Sequence, residues 1–423
     1  MKNENDISLS DNFLAKRVEK LFIRRIMRLR RLKKVFKEPF VRIVLTLIFC
    51  FSFYAVLPES FLRGAVTLSL ILKGLLLFFI PFLIFGGTAM AFASLKDNGV
   101  WFIVTMMGII ITSNFLNLMF SGVVACYLMP HLTHLDHQAP LTVSEIVINP
   151  YFYCNFPKIF PNAWALVLGI SSGILSTFFD MTKYMNFVQQ VHRLTMGFML
   201  KIFIPTLPLF LLGFVLKLLV EGQLSYFIMN NGKACVLMVG FLVLYLCVWL
   251  VAAKRCSRLS YGTLLKNVFP PIITGATTMS SAAALPFSIE AATKNTKDPI
   301  LANAVMPISI NFHMVGDTIC IPILAIIILT SFACPMPSFG AYLIFGLCFV
   351  LNKFAGAGIP GGTIMVSLPI LQNYLGFSEE MLALITAFYM LIDPITTAGN
   401  VAANNFLVIF IKKAWGRITR KAC

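Results

Sequence analysis

The stretch "AGAGIPGG", Ala355 to Gly362, interrupts an otherwise apolar segment, "SFGAYLIFGLCFVLNKFAGAGIPGGTIMVSLPILQNYLG", at residues 338–376. Four glycines and Pro360 within seven residues remove side chains, one backbone donor and helical preference together. A phosphate loop has a similar look. It needs a preceding strand and a closing Lys-Ser/Thr, and this segment has neither. A kinked continuous helix is the other reading. The density of breakers favours a segment that enters, breaks and leaves again, with Gly356, Gly358, Pro360, Gly361 and Gly362 forming a gate.

The surroundings place that segment in a membrane. The chain has 423 residues, 58% of them hydrophobic and 12% charged, whereas a soluble domain carries about 25% charged residues. Runs such as "VRIVLTLIFCFSFYAVL" and "LPLFLLGFVLKLLV" approach the ~20 residues that a crossing helix needs. Spans are expected at 41–58, 64–95, 100–130, 161–182, 195–220, 227–253, 299–331 and 380–412. Between the last three lie two interrupted segments, from 261 and from 338. The fold class is therefore an all-α integral membrane protein with eight transmembrane helices and two re-entrant helical hairpins.

Charge sets the orientation. Of a net +17, thirteen Lys/Arg fall in residues 1–42 and five in the tail "KKAWGRITRKAC". Basic flanks stay on the cytoplasmic side, so both termini are expected there, in the cytoplasmic (inner) membrane. Lys96, Lys183, Arg193, Lys254, Arg255 and Arg258 fall in expected inner loops. Only Arg63 and Lys158 fall in outer ones. In the N-terminal segment Leu14, Val18, Leu21, Phe22, Leu29, Leu32 and Phe36 share a helical face, broken by Arg25, which reads as an amphipathic helix on the inner surface. No signal peptide is evident. The basic charge is assigned to topology and anionic lipid, not to nucleic acid.

Two broken segments, each followed by a long span, point to a transport site built from inverted repeats. Backbone without helical partners persists at membrane depth only inside protein or beside water. The tips "TTMSSAAALP" (Thr277–Pro286) and "AGAGIPGG" are thus expected to meet near mid-membrane. In "YMLIDPITTAGNVAANNF", Asp393, Thr396, Thr397, Asn400 and Asn404 recur along one helical stripe. An ionisable residue inside a membrane helix marks a site by default. His313 and Asp317, four residues apart in "NFHMVGDTIC", are singled out on the same ground. The loop "HLTHLDHQAP" offers His131, His134, Asp136 and His137 at metal-like spacing. With no other ligand cluster it reads as a solvated loop, and no metal is assigned. No nucleophile elbow, H-E-x-x-H or Walker motif occurs, so no enzyme is expected. Ten scattered Cys suggest neither disulfide nor metal.

These motifs resemble the glutamate transporter, or dicarboxylate/amino acid:cation symporter, family over residues 40–412. The resemblance is carried by "FASLKDNG", "TTMSSAAALP", "MPISINFHMVGDT", "AGAGIPGGTIM" and "DPITTAGNVAANN". It implies a homotrimer of independently working protomers, each with an elevator-type transport domain. The organisation it implies is a basic segment at 1–40, scaffold spans at 41–96 and 161–221, and span 3 at 98–130. An outer loop follows at 131–160, a transport core at 227–415 and a tail at 416–423. A substrate is implied at Ser280, Ser281, Asp317, Ala357, Gly358, Asp393, Thr396, Thr397 and Asn400. Cation coupling is implied at Thr112, Ser113, His313, Asn400 and Asn404, with Na+ or H+ as the ion and no other cofactor.

Departures from the family pattern shape the expected function. Thr396 stands where members that carry acidic substrates place an Arg. Asn404 and Val315 replace carboxylates that hold sodium, His313 takes a sodium-coordinating position, and Asp317 replaces a Thr. The sequence therefore suggests an amino acid symporter, more neutral than acidic in its substrate, with altered cation coupling. The alternatives are a dicarboxylate or cationic amino acid carrier, or a degenerate exchanger or channel. Weakened sodium dependence is expected, with either proton coupling through His313, its proton shared or stabilised by Asp317, or ion-independent exchange in its place.

Overall fold

The computed structural model describes residues 39–93, 100–132, 148–154, 156–157, 159, 161–353, 358 and 360–421. The basic amphipathic segment, Lys96, Lys158, His134, Asp136, His137, Gly356 and Ala357 lie outside the described residues. Within them the regular structure is helical: α1 (Pro39–Phe53), α2 (Glu59–Ala93), α3 (Val100–Leu132), α4 (Asn162–Phe178), α5 (Thr182–Phe198), α6 (Ile204–Val220), α7 (Gln223–Cys256), α8 (Tyr261–Thr278), α9 (Leu285–Thr296), α10 (Pro299–Phe312), α11 (Val315–Ser331), α12 (Phe339–Asn352), α13 (Gly362–Leu375) and α14 (Glu379–Lys421). His131 falls at the end of α3.

Among the described residues, six helical runs are long and apolar enough to cross a bilayer: Glu59–Met90, Val104–Tyr127, Thr182–Val220, Gln223–Cys256, Pro299–Ser331 and Glu379–Ala414. The protein is a multi-pass integral membrane protein. The sequence expects crossings at 41–58 and 161–182 as well, but the described helices there are the 15-residue α1 and the 17-residue α4. At 1.5 Å per residue they rise only about 22 and 25 Å. The span expected at 195–220 begins earlier. A π turn at Met199–Phe203 joins α5 to α6, so Lys183 and Arg193, expected in a loop, belong to a helix.

Packing separates the helices into two neighbourhoods. The helix α2 packs along α4, α5 and α6, and α1 lies against α6. In the other neighbourhood α11 touches α3, α7 and α14, while α8 and α9 pack on α14. Every residue of α11 from Val315 to Thr330 is buried, as a helix apolar on all sides requires.

The span expected to run unbroken through 299–331 is divided. Between α10 and α11, His313 is extended (φ −97°, ψ 100°) and Met314 non-helical. No proline or glycine occupies the break. Its backbone is satisfied by asparagines instead. Asn114 Nδ2 donates to the Phe312 carbonyl (2.7 Å) and Asn114 Oδ1 accepts from the Met314 amide (3.2 Å). Asn400 Oδ1 accepts from the Gly316 amide (2.7 Å). A buried unwound turn without those partners would leave costly orphan groups.

The hairpin segments are helix–turn–helix units with capped starts. Ser260 Oγ accepts from the Thr263 amide (3.2 Å), and Ser338 Oγ from the Ala341 amide (3.2 Å). Such caps are worth about 1 kcal/mol each.

Gly316 lets α11 approach α14 closely. A Cβ there would sit 2.2 Å from the Thr396 carbonyl oxygen. Gly316→Ala is expected to cost about 1–3 kcal/mol by overpacking, read as a lowered Tm of the detergent-solubilised protein. An unchanged Tm would show that the two helices separate freely at this point.

Candidate functional site: a buried ionic cluster at the broken helix

The two helix–turn–helix tips meet. Ser280 Oγ donates to the Gly358 carbonyl at 2.5 Å. Gly358 has φ +77°, and a Cβ there would lie 3.0 Å from Ala282 Cβ. Only glycine accommodates that conformation and that contact easily. Ser281 is buried beside Ser280.

Beneath the tips lies a cluster of charged and hydroxyl groups. Asp317, in the first turn of α11, accepts from Tyr389 Oη on Oδ1 (2.8 Å). Its Oδ2 accepts from Thr363 Oγ1 (3.0 Å) and Asn400 Nδ2 (3.1 Å). The Lys353 ammonium lies 3.7 Å from the same Oδ2 and 4.7 Å from the Phe349 ring centroid. Asp393 accepts from the Gly361 amide (2.8 Å), Thr397 Oγ1 (2.9 Å) and, more weakly, Tyr389 Oη (3.4 Å). Asp317, Lys353, Asp393, Thr396, Thr397 and Asn400 are all buried. Charges so placed need partners, and each carboxylate here has several donors.

A second group surrounds His313. Its Nδ1 is 2.9 Å from Asn404 Oδ1 and its Nε2 is 3.0 Å from Ser113 Oγ. With Asn404 accepting on Nδ1–H and Ser113 donating to Nε2, a neutral ring satisfies both contacts. Trp249 stands edge-on to the ring, with centroids 5.6 Å apart.

The structure thus brings together Ser280, Gly358, Gly361, Asp317, Asp393, Thr397 and Asn400. Gly362 opens α13 from the tip, and Pro360 is buried in it. Thr396 turns its hydroxyl to its own helix, onto the Asp393 carbonyl (3.1 Å). Thr112 does not join: it is exposed, in a shallow depression with Gly108, Leu116 and Tyr245. Asn114, two positions on, makes the contacts to the break. The expected sharing of a proton between His313 and Asp317 is not seen. Four-residue spacing aligns side chains only along a continuous helix, and the chain breaks between these two. Asp317 turns to Tyr389, Thr363, Asn400 and Lys353 instead.

Tyr389, Thr363 and Lys353 join the cluster without being among the expected site residues. Tyr389 precedes Asp393 by one helical turn, so its place on the stripe was legible. Lys353 in the apolar run "GLCFVLNKF" carried the general signal of a charge at membrane depth.

A multi-pass helical protein with a discontinuous helix, two helix–turn–helix tips in contact and a buried ionic cluster below them has the form of a secondary transporter. The chain belongs to the sodium:dicarboxylate symporter family, whose model matches residues 40–414. No individually curated protein matches it. Membership makes it a secondary transporter of small charged solutes rather than an enzyme, in a family that typically couples transport to an ion gradient.

Tyr389→Phe tests the cluster. It removes the hydroxyl that touches both carboxylates, and a buried acceptor that loses its donor costs about 1–3 kcal/mol. A Tm below that of the native protein is expected. Native stability in this variant would mean that water or another donor replaces the hydroxyl without loss.

Proposed function

We propose that the chain carries a small carboxylate-bearing solute of the dicarboxylate class, bound between the tips at Ser280 and Gly358 and the cluster of Asp317, Lys353, Asp393 and Asn400. The supporting observation is Lys353. Its ammonium is buried and, among the described residues, has no hydrogen-bond partner beside the 3.7 Å ion pair and the Phe349 ring face. An ammonium has three donors, so it retains capacity for a substrate carboxylate. The family's description also supports a charged solute, the alternative above, over the neutral amino acid expected from Thr396. Asp393, held by the neutral Gly361 amide and Thr397 hydroxyl, keeps its charge, so a dianion bound here depends on Lys353 to offset that repulsion. A cationic amino acid is the second reading, favoured by two carboxylates facing one ammonium.

The finer architecture belongs to the same proposal. It has eight crossings and two re-entrant hairpins at 261–296 and 339–375. Both termini are cytoplasmic, and the elevator-type protomers form a homotrimer in contact with membrane lipid. The two packing neighbourhoods, one around α2 and one around α11, are what a scaffold and a moving core require. Weakened sodium dependence is supported by the occupied acceptors: Asn404 Oδ1 faces His313 and Asn400 Oδ1 holds the Gly316 amide.

Uptake of labelled succinate by the protein in liposomes, with unlabelled competitors and imposed sodium or proton gradients, tests this. Succinate and malate are expected to compete, L-alanine to compete poorly, and removal of sodium to reduce uptake less than twofold. Alanine displacing label as well as malate would overturn the dicarboxylate reading. Displacement by L-lysine would establish the cationic alternative in its place.

A further inference from the structure

Lys353 has a second consequence, which concerns the ion rather than the solute. Asp317 is bound from three elements besides its own: Lys353 at the end of α12, Thr363 in α13, and Tyr389 and Asn400 in α14. The carboxylate therefore ties both arms of the 339–375 unit to the broken span and to the last helix. Its neutral donors satisfy its oxygens but leave its charge. A buried carboxylate also needs a counter-charge. The ammonium of Lys353 stands where that counter-charge belongs, braced against the face of Phe349. A cation prefers such a ring face when removed from water.

Around the break and Asp393, several oxygens that a free monovalent cation would use already accept hydrogen bonds. Asn400 Oδ1 accepts from the Gly316 amide, Asn404 Oδ1 is on His313, and both oxygens of Asp393 have donors. Val315, next to the break, offers only its backbone carbonyl, which accepts from Thr318 Oγ1 (3.0 Å).

We infer that Lys353 is a tethered counter-cation: its ammonium neutralises Asp317 and ties α12 to the broken span, so the carboxylate needs no diffusible cation at this position. The neutralisation is then built into the chain and independent of salt composition. The inference rests on the transporter reading only for its physiological meaning. Its test needs no substrate.

The test compares Tm values of the purified, substrate-free protein in sodium, potassium, methylammonium and choline chloride at equal ionic strength. The native protein is expected to give the same Tm in all four within about 1 °C. Lys353→Ala leaves an unpaired buried carboxylate and space beside it. It is expected to melt several degrees lower in choline and to recover at least half of that loss in sodium or methylammonium. Lys353→Met/Asp317→Asn removes both charges and is expected to melt above Lys353→Ala in choline, with no response to the cation. A native protein stabilised saturably by millimolar sodium would overturn the inference. So would a Lys353→Ala protein indifferent to every cation, or a double variant no more stable than Lys353→Ala. If Lys353→Ala fails to fold, the native salt series and the double variant still decide. Failure of succinate uptake alone would count against the proposed solute and leave this result standing.

Discussion

The structure depends on keeping the buried side chain of Asp317 partnered. In the low-dielectric interior an unpaired charge costs several kcal/mol. Lys353, Thr363, Tyr389 and Asn400 offset that cost. The donors come from α12, α13 and α14. None of these helices could shift independently without stripping a partner from the carboxylate. One side chain thus sets the relative position of the hairpin, the broken span and the last helix.

The break in the span follows from the same logic. Unwinding at His313–Met314 frees backbone groups in a protein interior, and they are satisfied by Asn114 from α3 and Asn400 from α14. Asn400 serves twice. Its Oδ1 holds the unwound amide of Gly316, and its Nδ2 donates to Asp317 Oδ2. One amide therefore couples the backbone of the break to the charge of the cluster. Gly316 allows α14 close enough for both contacts.

Much of the fold was legible because hydrophobic length and glycine or proline density are local properties. The interrupted segment at 338–376, the stripe of Asp393, Thr397, Asn400 and Asn404, and the contact between the two tips could all be read from runs and spacings. The break at 313–314 could not. No helix breaker stands there, and the asparagines that stabilise it lie far away in sequence. The pairing of His313 with Asp317 was misjudged for that reason: it assumed helical continuity. Lys353 was visible as a charge in an apolar run. Its partner was not, because the pairing depends on how the hairpin folds back onto α11. Thr112, expected only from the family resemblance, is exposed, while Asn114 of the same helix makes the contacts to the break.

The cluster also constrains how a gate over it can work. The contacts from 353–363 to the core include the ammonium of Lys353, the amide of Gly361 and the hydroxyl of Thr363. Lifting that segment would remove a donor from Asp393 and both a donor and the counter-charge from Asp317. Two carboxylates exposed in this way are tolerable only if water or a ligand replaces what was lost. Partial opening in a dry interior is therefore the costly state, whereas open-and-wet and closed-and-paired are both satisfied. If the unit opens as proposed, the residues that seal the site would make that opening two-state. On the proposed reading, a solute carboxylate that engages Lys353 enters while the site is wet and leaves Asp317 to Tyr389, Thr363 and Asn400.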